Sequence, residues 1–213
     1  PFIFNFRQLG SNCGIAGQHS AAEIDGRVFW MGLKDFFMYD GGVNALPCTV
    51  RRFVFDDFNY DQKDKVYAGT NQEFREITWL YPSANSSDID RYVSYNPVEN
   101  YWTFGTTIFT TWEDRSVFSN MLTTGREADG DNYLYTNEPE GVFTADGQRQ
   151  EAFLESAEFD TTPPAYGSGD SIIYLDRIVP DFTINDGGQV TMKMKLKRFP
   201  NGTVTEKGPF TVT

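Results

Sequence analysis

Trp30 and Trp79 stand 49 positions apart, and the residues around each follow one rhythm. Val28–Phe55 and Glu76–Trp112 both place the tryptophan on a leading strand. Each then has an aromatic strand, Phe36-Phe37-Met38-Tyr39 and Tyr92-Val93-Ser94-Tyr95. Each of these runs into turn residues, Asp40-Gly41-Gly42 and Asn96-Pro97. A repeat of that length built only of strands is the sequence mark of a β-propeller blade. It points to a scaffold before any chemistry is sought.

The rest of the chain is consistent with an all-β class. Of 213 residues, 16% are aromatic, a load that suits pleated, half-buried surfaces and excludes disorder. Asp25-Gly26 between Ala21–Glu23 and Arg27–Trp30 is a type I′ hairpin signal. Further strands are expected at Asp35–Tyr39, Ile77–Tyr81, Arg91–Tyr95, Trp102–Thr106 and Ile108–Trp112. Leu46-Pro47 is expected to open an element, with Pro47 at a strand start or an edge because it cannot donate to a ladder. Arg52–Tyr67 reads as either a short helix or a loop. Ser116–Thr123, Asp129-Gly130-Asp131 and Asn132–Thr136 form a third, degenerate unit.

Composition shifts near Ala145–Gln150. The expected organisation is therefore partial propeller repeats over 1–150 and a β-rich region over 151–213. In the second region, Glu151–Phe159 alternates, Thr161–Asp170 is a Pro/Gly loop and Ile172–Val179 is strongly apolar. Gln189–Arg198 sets Val190, Met192, Met194 and Leu196 against Thr191, Lys193, Lys195 and Lys197, the pattern of a half-buried strand with one basic face. Phe199–Gly202 turns it toward a last strand at Phe210–Val212. No helix of ten or more residues is expected.

The formal net charge is −12. A reader of base sequence is usually basic, so that class is disfavoured. An acidic surface keeps a protein soluble, and it also lets a polyanion slide past without adhering. Cys13 and Cys48 are too few and too isolated for a disulfide framework, and free thiols are expected. No apolar run approaches the ~20 residues of a membrane helix. The opening residues lack a basic region and a cleavage site, so no signal peptide is expected. A start at Pro1 reads as a processed or trimmed chain.

Candidate chemistry is thin. His19 is the only histidine, and no catalytic motif surrounds it. One histidine and two distant cysteines do not supply a zinc site. Asp129-Gly130-Asp131-Asn132 lacks the spacing and closing Glu of an EF-hand and reads as a turn. Gly167-Ser168-Gly169-Asp170 lacks the Lys-Ser/Thr of a phosphate loop. Asn85-Ser86-Ser87 and Asn201-Gly202-Thr203 fit the glycosylation pattern, which carries little weight without a secretory signal. The carboxylate pairs Asp56-Asp57, Asp88/Asp90 and Glu113-Asp114 are where glycoside hydrolysis would be sought. No catalytic, cofactor or metal residue is therefore assigned. The aromatic residues read as core and wedge positions before they read as stacking platforms for sugars.

Several runs nevertheless have a family look: Glu76-Ile77-Thr78-Trp79-Leu80-Tyr81-Pro82-Ser83, Asp90-Arg91-Tyr92-Val93-Ser94-Tyr95-Asn96, Trp102-Thr103-Phe104-Gly105-Thr106 and Thr111-Trp112-Glu113-Asp114-Arg115. Together they resemble the tail nozzle proteins of short-tailed bacteriophages, also called tail tubular protein B. Upstream, Trp30, Tyr39, Gly41 and Pro47 fall in what looks like the preceding blade of that family. Ala152–Asp160, Arg177–Phe182 and Gly208–Val212 are similar to its closing region. The signature positions are thus Trp30, Tyr39, Gly41, Pro47, Trp79, Tyr81, Pro82, Asp90, Arg91, Tyr92, Tyr95, Asn96, Trp102, Gly105, Trp112 and Asp114. Family members are longer, and the match falls in their C-terminal part.

The resemblance implies a non-enzymatic virion protein, assembled in the host cytoplasm. It implies a six-fold homo-oligomeric ring below a portal adaptor, with fibres or spikes docked outside and DNA passing through the channel at genome ejection. It carries no catalytic residue. The long polar loop Pro82–Asp90, with Ser83, Asn85, Ser86 and Asp88, is the candidate contact surface. The competing class is a carbohydrate-active propeller, hydrolase or lectin, and a host-surface binding module would share its fold. An enzyme requires two carboxylates converging in a pocket, one with a raised pKa.

Overall fold

The structure, a computed structural model, describes residues 4, 6–115, 117, 120–127, 130–137, 139, 144–145, 148–149, 153–156, 172–179, 181, 189–199 and 201–212. The chain divides into two compact units, Pro1–Gln148 and Arg149–Thr213.

The first unit opens with a four-stranded antiparallel meander: β1 (Ala21–Ile24), β2 (Arg27–Met31), β3 (Phe36–Tyr39) and β4 (Val43–Ala45). Asp25 and Gly26 both have positive φ, 52° and 74°, as a type I′ turn requires. Strand alternation then sorts the side chains. Met31 pairs with Phe36 and Phe29 with Met38, so these four share one face; Phe29, Met31 and Phe36 are fully buried. Trp30 pairs with Phe37 on the other face and remains half-buried.

The second meander repeats this order with β5 (Tyr67–Asn71), β6 (Glu76–Tyr81), β7 (Arg91–Asn96) and β8 (Tyr101–Thr106). Trp30 and Trp79 thus both lie on the second strand of a four-stranded meander, and the aromatic runs both lie on the third. The connections differ: residues 32–35 join β2 to β3, whereas residues 82–90 join β6 to β7. A third sheet has the order β11-β10-β9, from β9 (Phe109–Glu113), β10 (Leu122–Arg126) and β11 (Asn132–Thr136), with a register shift between Thr124 and Gly125. A short hairpin, β12 (Thr144–Ala145) with β13 (Gln148–Arg149), follows. The all-β class holds, and none of these sheets closes on itself among the described residues.

Several expectations change. Pro47 opens no strand: it lies between β4 and the helix α1 (Arg51–Asp56), and its carbonyl is used instead. The ambiguous stretch Arg52–Tyr67 contains α1 and a 3-10 helix, Tyr60–Lys65. Tyr67–Asn71 is a strand that is not among those expected, because Gly69 and Asn71 weaken its β signal. The run Glu76–Trp112 does not belong to one sheet: its last strand, β9, starts the next. Asp129 and Gly167–Asp170 lie outside the described residues, as do most of Glu151–Phe159 and Thr161–Asp170.

In the second unit, β14 (Val190–Leu196) pairs antiparallel with β15 (Thr205–Val212). Lys195 binds both carboxylate oxygens of Glu155, at 2.8 and 2.7 Å. The alternation expected in β14 is present only at its centre: Met192 and Met194 are half-buried and Lys193 and Lys195 exposed, but Val190 and Leu196 at the ends are exposed as well. Residues 172–179, despite their apolar composition, belong to no strand.

Candidate functional site

All four tryptophans place the indole N–H on a backbone carbonyl remote in sequence. Trp30 donates to Cys13 O at 2.9 Å, Trp79 to Ser20 O at 3.0 Å, Trp102 to Pro47 O at 3.0 Å and Trp112 to Thr70 O at 2.7 Å. An indole carries a large apolar ring with one donor, so the buried Trp79 can seal a dry seam and still satisfy a carbonyl inside it, while the half-buried Trp30, Trp102 and Trp112 do so at the margins.

The seam between the first two meanders is the most developed. Trp79 is 0% exposed. Its ring lies 4.9 Å from Phe36 and 6.1 Å from Trp102. Tyr95 stacks on Trp102 at 4.5 Å. Its hydroxyl donates to Asn100 Oδ1, and burial raises its pKa. From the α1 side, Phe55 meets Phe36 at 5.3 Å, and Phe58 meets Tyr81 at 6.2 Å. His19 pairs with Tyr67 as an isolated parallel bridge, its carbonyl accepts from Ala68 N–H at 2.7 Å, and its ring stacks on Tyr67 at 5.3 Å. The only histidine therefore lies on this structural seam.

The opposite face of the second meander is sealed by the third sheet. Gly69 pairs with Thr78, and a Cβ on Gly69 would lie 2.1 Å from the Trp112 ring. The absence of a side chain at Gly69 is what lets Trp112 approach the backbone. Asp114 completes this seam by accepting from Thr70 Oγ1 at 2.9 Å and from Gln72 N–H at 3.2 Å. At β8, Gly105 makes room for Tyr92, whose Cε1 would be 2.7 Å from an added Cβ. Tyr39 ends β3 opposite Val28, and Gly41 turns the chain with φ of 109°. Asn96 accepts from Val98 and Glu99 N–H and donates to Phe74 O, fixing the β7–β8 turn.

The 82–90 loop is fastened along much of its length. Ser83 is buried and donates through both N–H and Oγ to the Asp90 carboxylate, each at 2.7 Å. Pro82 O accepts from Asn59 N–H at 3.1 Å. Asn59 also donates to Ser86 O, and Lys65 donates to Ser87 O and Asp88 Oδ1. Arg91 bridges Asp57 and Asp90. Of the four proposed contact residues, Asn85 and Asp88 are exposed, Ser86 is half-buried and Ser83 faces inward. The partners Asn59 and Lys65 were hidden from sequence reading because they come from the 3-10 segment more than twenty residues earlier.

A cleft of about 410 Å³ lies beside this loop, with Asp88, Asp90, Arg126 and Glu127 on its walls. Lys65 holds the Asp88 carboxyl below the usual range, opposite in direction to the raised acid that hydrolysis requires. Of the other carboxylate pairs, Asp56 binds Arg52, Asp57 binds Arg91 and Asp114 binds the β5 seam. Burial pushes the Cys48 thiol up to about 11, and both cysteines are free. Among the described residues, no group of three or more His, Cys, Asp or Glu could hold a metal, and no helix is long and apolar enough to cross a membrane. No protein-family model matches this chain, and no curated protein matches it.

Proposed function

We propose that this chain is a structural subunit of a short-tailed phage tail nozzle, forming part of a six-fold ring around a channel for genome ejection. In this reading the meanders are propeller blades, and residues 151–213 form a C-terminal platform region. The observation that supports it most is the use made of the signature residues. Trp30, Trp79, Trp102, Trp112, Pro47 and the Asp90–Arg91 and Asp114 clusters hold sheets and loops together. The motif residues behind the resemblance are thus used for scaffold rigidity, which a load-carrying ring requires.

Net charge of −12 fits a channel that DNA crosses without adhering, since acidic side chains outnumber basic ones by 30 to 18. Portal adaptor and fibre or spike proteins are the expected neighbours. Cryo-EM class averages of the purified chain test the reading. Closed six-fold rings support it; monomers that bind glycans on an array instead select the carbohydrate-binding propeller.

A further inference from the structure

Strand β8 is an edge that lacks the usual protection. It pairs with β7 on one side, and no described strand pairs with it on the other. Natural edges are blunted by charge, proline or bulges. Tyr101-Trp102-Thr103-Phe104-Gly105-Thr106 has no charge and no proline, and its pairing with β7 is uninterrupted. Beside it, the Phe104 ring packs tilted against Phe53 of α1, with centroids 4.3 Å apart, and the two rings remain 45% and 49% exposed. The apolar face of the second meander therefore runs out to solvent at β8.

The same chain contains a segment with the complementary deficit. Residues 172–179, Ile-Ile-Tyr-Leu-Asp-Arg-Ile-Val, are rich in strand-forming side chains. They make no hydrogen bond to any described residue. Ile172 is 99% exposed and Tyr174 88%. A backbone unpaired among the described residues and exposed branched side chains together fit a strand without its ladder.

We propose that β8 of one copy takes residues 172–179 of a second copy as its fifth strand. The proposal rests on the ring reading and names the contact that would build it. Charge permits a second copy to meet here more readily than elsewhere. Two copies of a chain with net charge −12 repel over most of their surface. β8 is uncharged, and Asp176 and Arg177 cancel within the segment. The added strand completes the ladder and lays alternate apolar side chains over Phe53 and Phe104. Passed one way from copy to copy, the contact is head-to-tail, the type that closes into rings, whereas two copies exchanging segments reciprocally would stop at a dimer.

Hydrogen exchange of the full chain, followed as concentration rises, tests this. Amides of 101–106 and 172–179 should slow together by about tenfold or more as copies associate. Phe104→Lys and, separately, Ile173→Lys should abolish both the slowing and the association. Both positions are about half exposed, so the variants retain the fold. Rings that form while 172–179 exchanges fast overturn the contact and leave the ring reading standing. Slowing that is independent of concentration in a monomer places the segment elsewhere and overturns the contact. A monomer with fast exchange at every concentration overturns both.

Discussion

Trp30 and Trp79 occupy the same place in two meanders of the same order, yet they do different work. Trp30 faces one neighbour, the segment at Cys13, and stacks on Phe37 at 5.6 Å. Trp79 is enclosed by Phe36, Trp102 and the Ser20 carbonyl. Their strands differ in the same way. β2 buries one face, whereas β6 buries Ile77 through Tyr81 without a break, because sheets cover both sides of it. A shared sequence rhythm fixes strand order, but what lies on the second face sets the energy of each residue.

The largest effect that would sharpen this comparison is Trp79→Ala. Loss of a fully buried indole should lower stability by about 4 kcal/mol, against about 1–2 kcal/mol for Trp30→Ala, which starts half-exposed. Urea unfolding of both variants measures the gap. Equal losses would break the distinction drawn between the two seams. If Trp79→Ala does not fold, Trp79→Phe keeps a ring, loses the bond to Ser20 and should cost about 2 kcal/mol.

Next is Gly69→Ala. Its Cβ would collide with the Trp112 ring, so the third sheet must shift, at a cost of about 2–3 kcal/mol. Thermal unfolding measures the cost, and Trp112 fluorescence should show a more solvated indole. A neutral Gly69→Ala would mean that Trp112 does not seal this face.

Asp90→Ala removes the acceptor for Ser83 N–H and Oγ and a partner of Arg91, and should cost about 1–2 kcal/mol. Faster proteolysis within 83–88 should accompany it. An unchanged cleavage rate would return the loop to the status of a free contact surface.

How much of this could be read in advance depended on range. The strand order, the Asp25-Gly26 turn and the half-buried β14 follow from period-two alternation and turn chemistry, which are local. The seams were not legible, because each joins residues far apart: Trp79 with Ser20, Trp102 with Pro47, Trp112 with Thr70. Pro47 cannot donate to a ladder, which suggests a strand start, but it lies outside any strand and its use is as an acceptor. Tyr67–Asn71 was missed because its glycine, the residue that weakens the strand signal, is there to admit Trp112. The 82–90 loop is polar in sequence, but what fastens it is less evident: the Asp90 carboxylate that organises it also ends it, seven positions from Ser83.

Two smaller effects concern buried titratable groups. The Tyr81 hydroxyl is the buried side-chain polar atom without a hydrogen-bond partner among the described residues. Tyr81→Phe should therefore be neutral or stabilise by up to about 1 kcal/mol, read from the urea midpoint. A loss above that would reveal a partner for the hydroxyl.

Cys48 gives a pH test. Burial raises its thiol from 9.0 to about 11, so the folded state holds the proton more tightly than the unfolded chain. That contribution is complete below pH 9 and is lost as pH rises from 9 toward 11. The urea midpoint should fall across this window, and the fall should be smaller in Cys48→Ala. Identical pH profiles would show that the thiol is not buried in solution.

The most direct test of the central claim is the native mass of the full chain across a wide range of concentration. The account predicts a closed particle of six copies of the 24.2 kDa chain. A monomer at every concentration would contradict it.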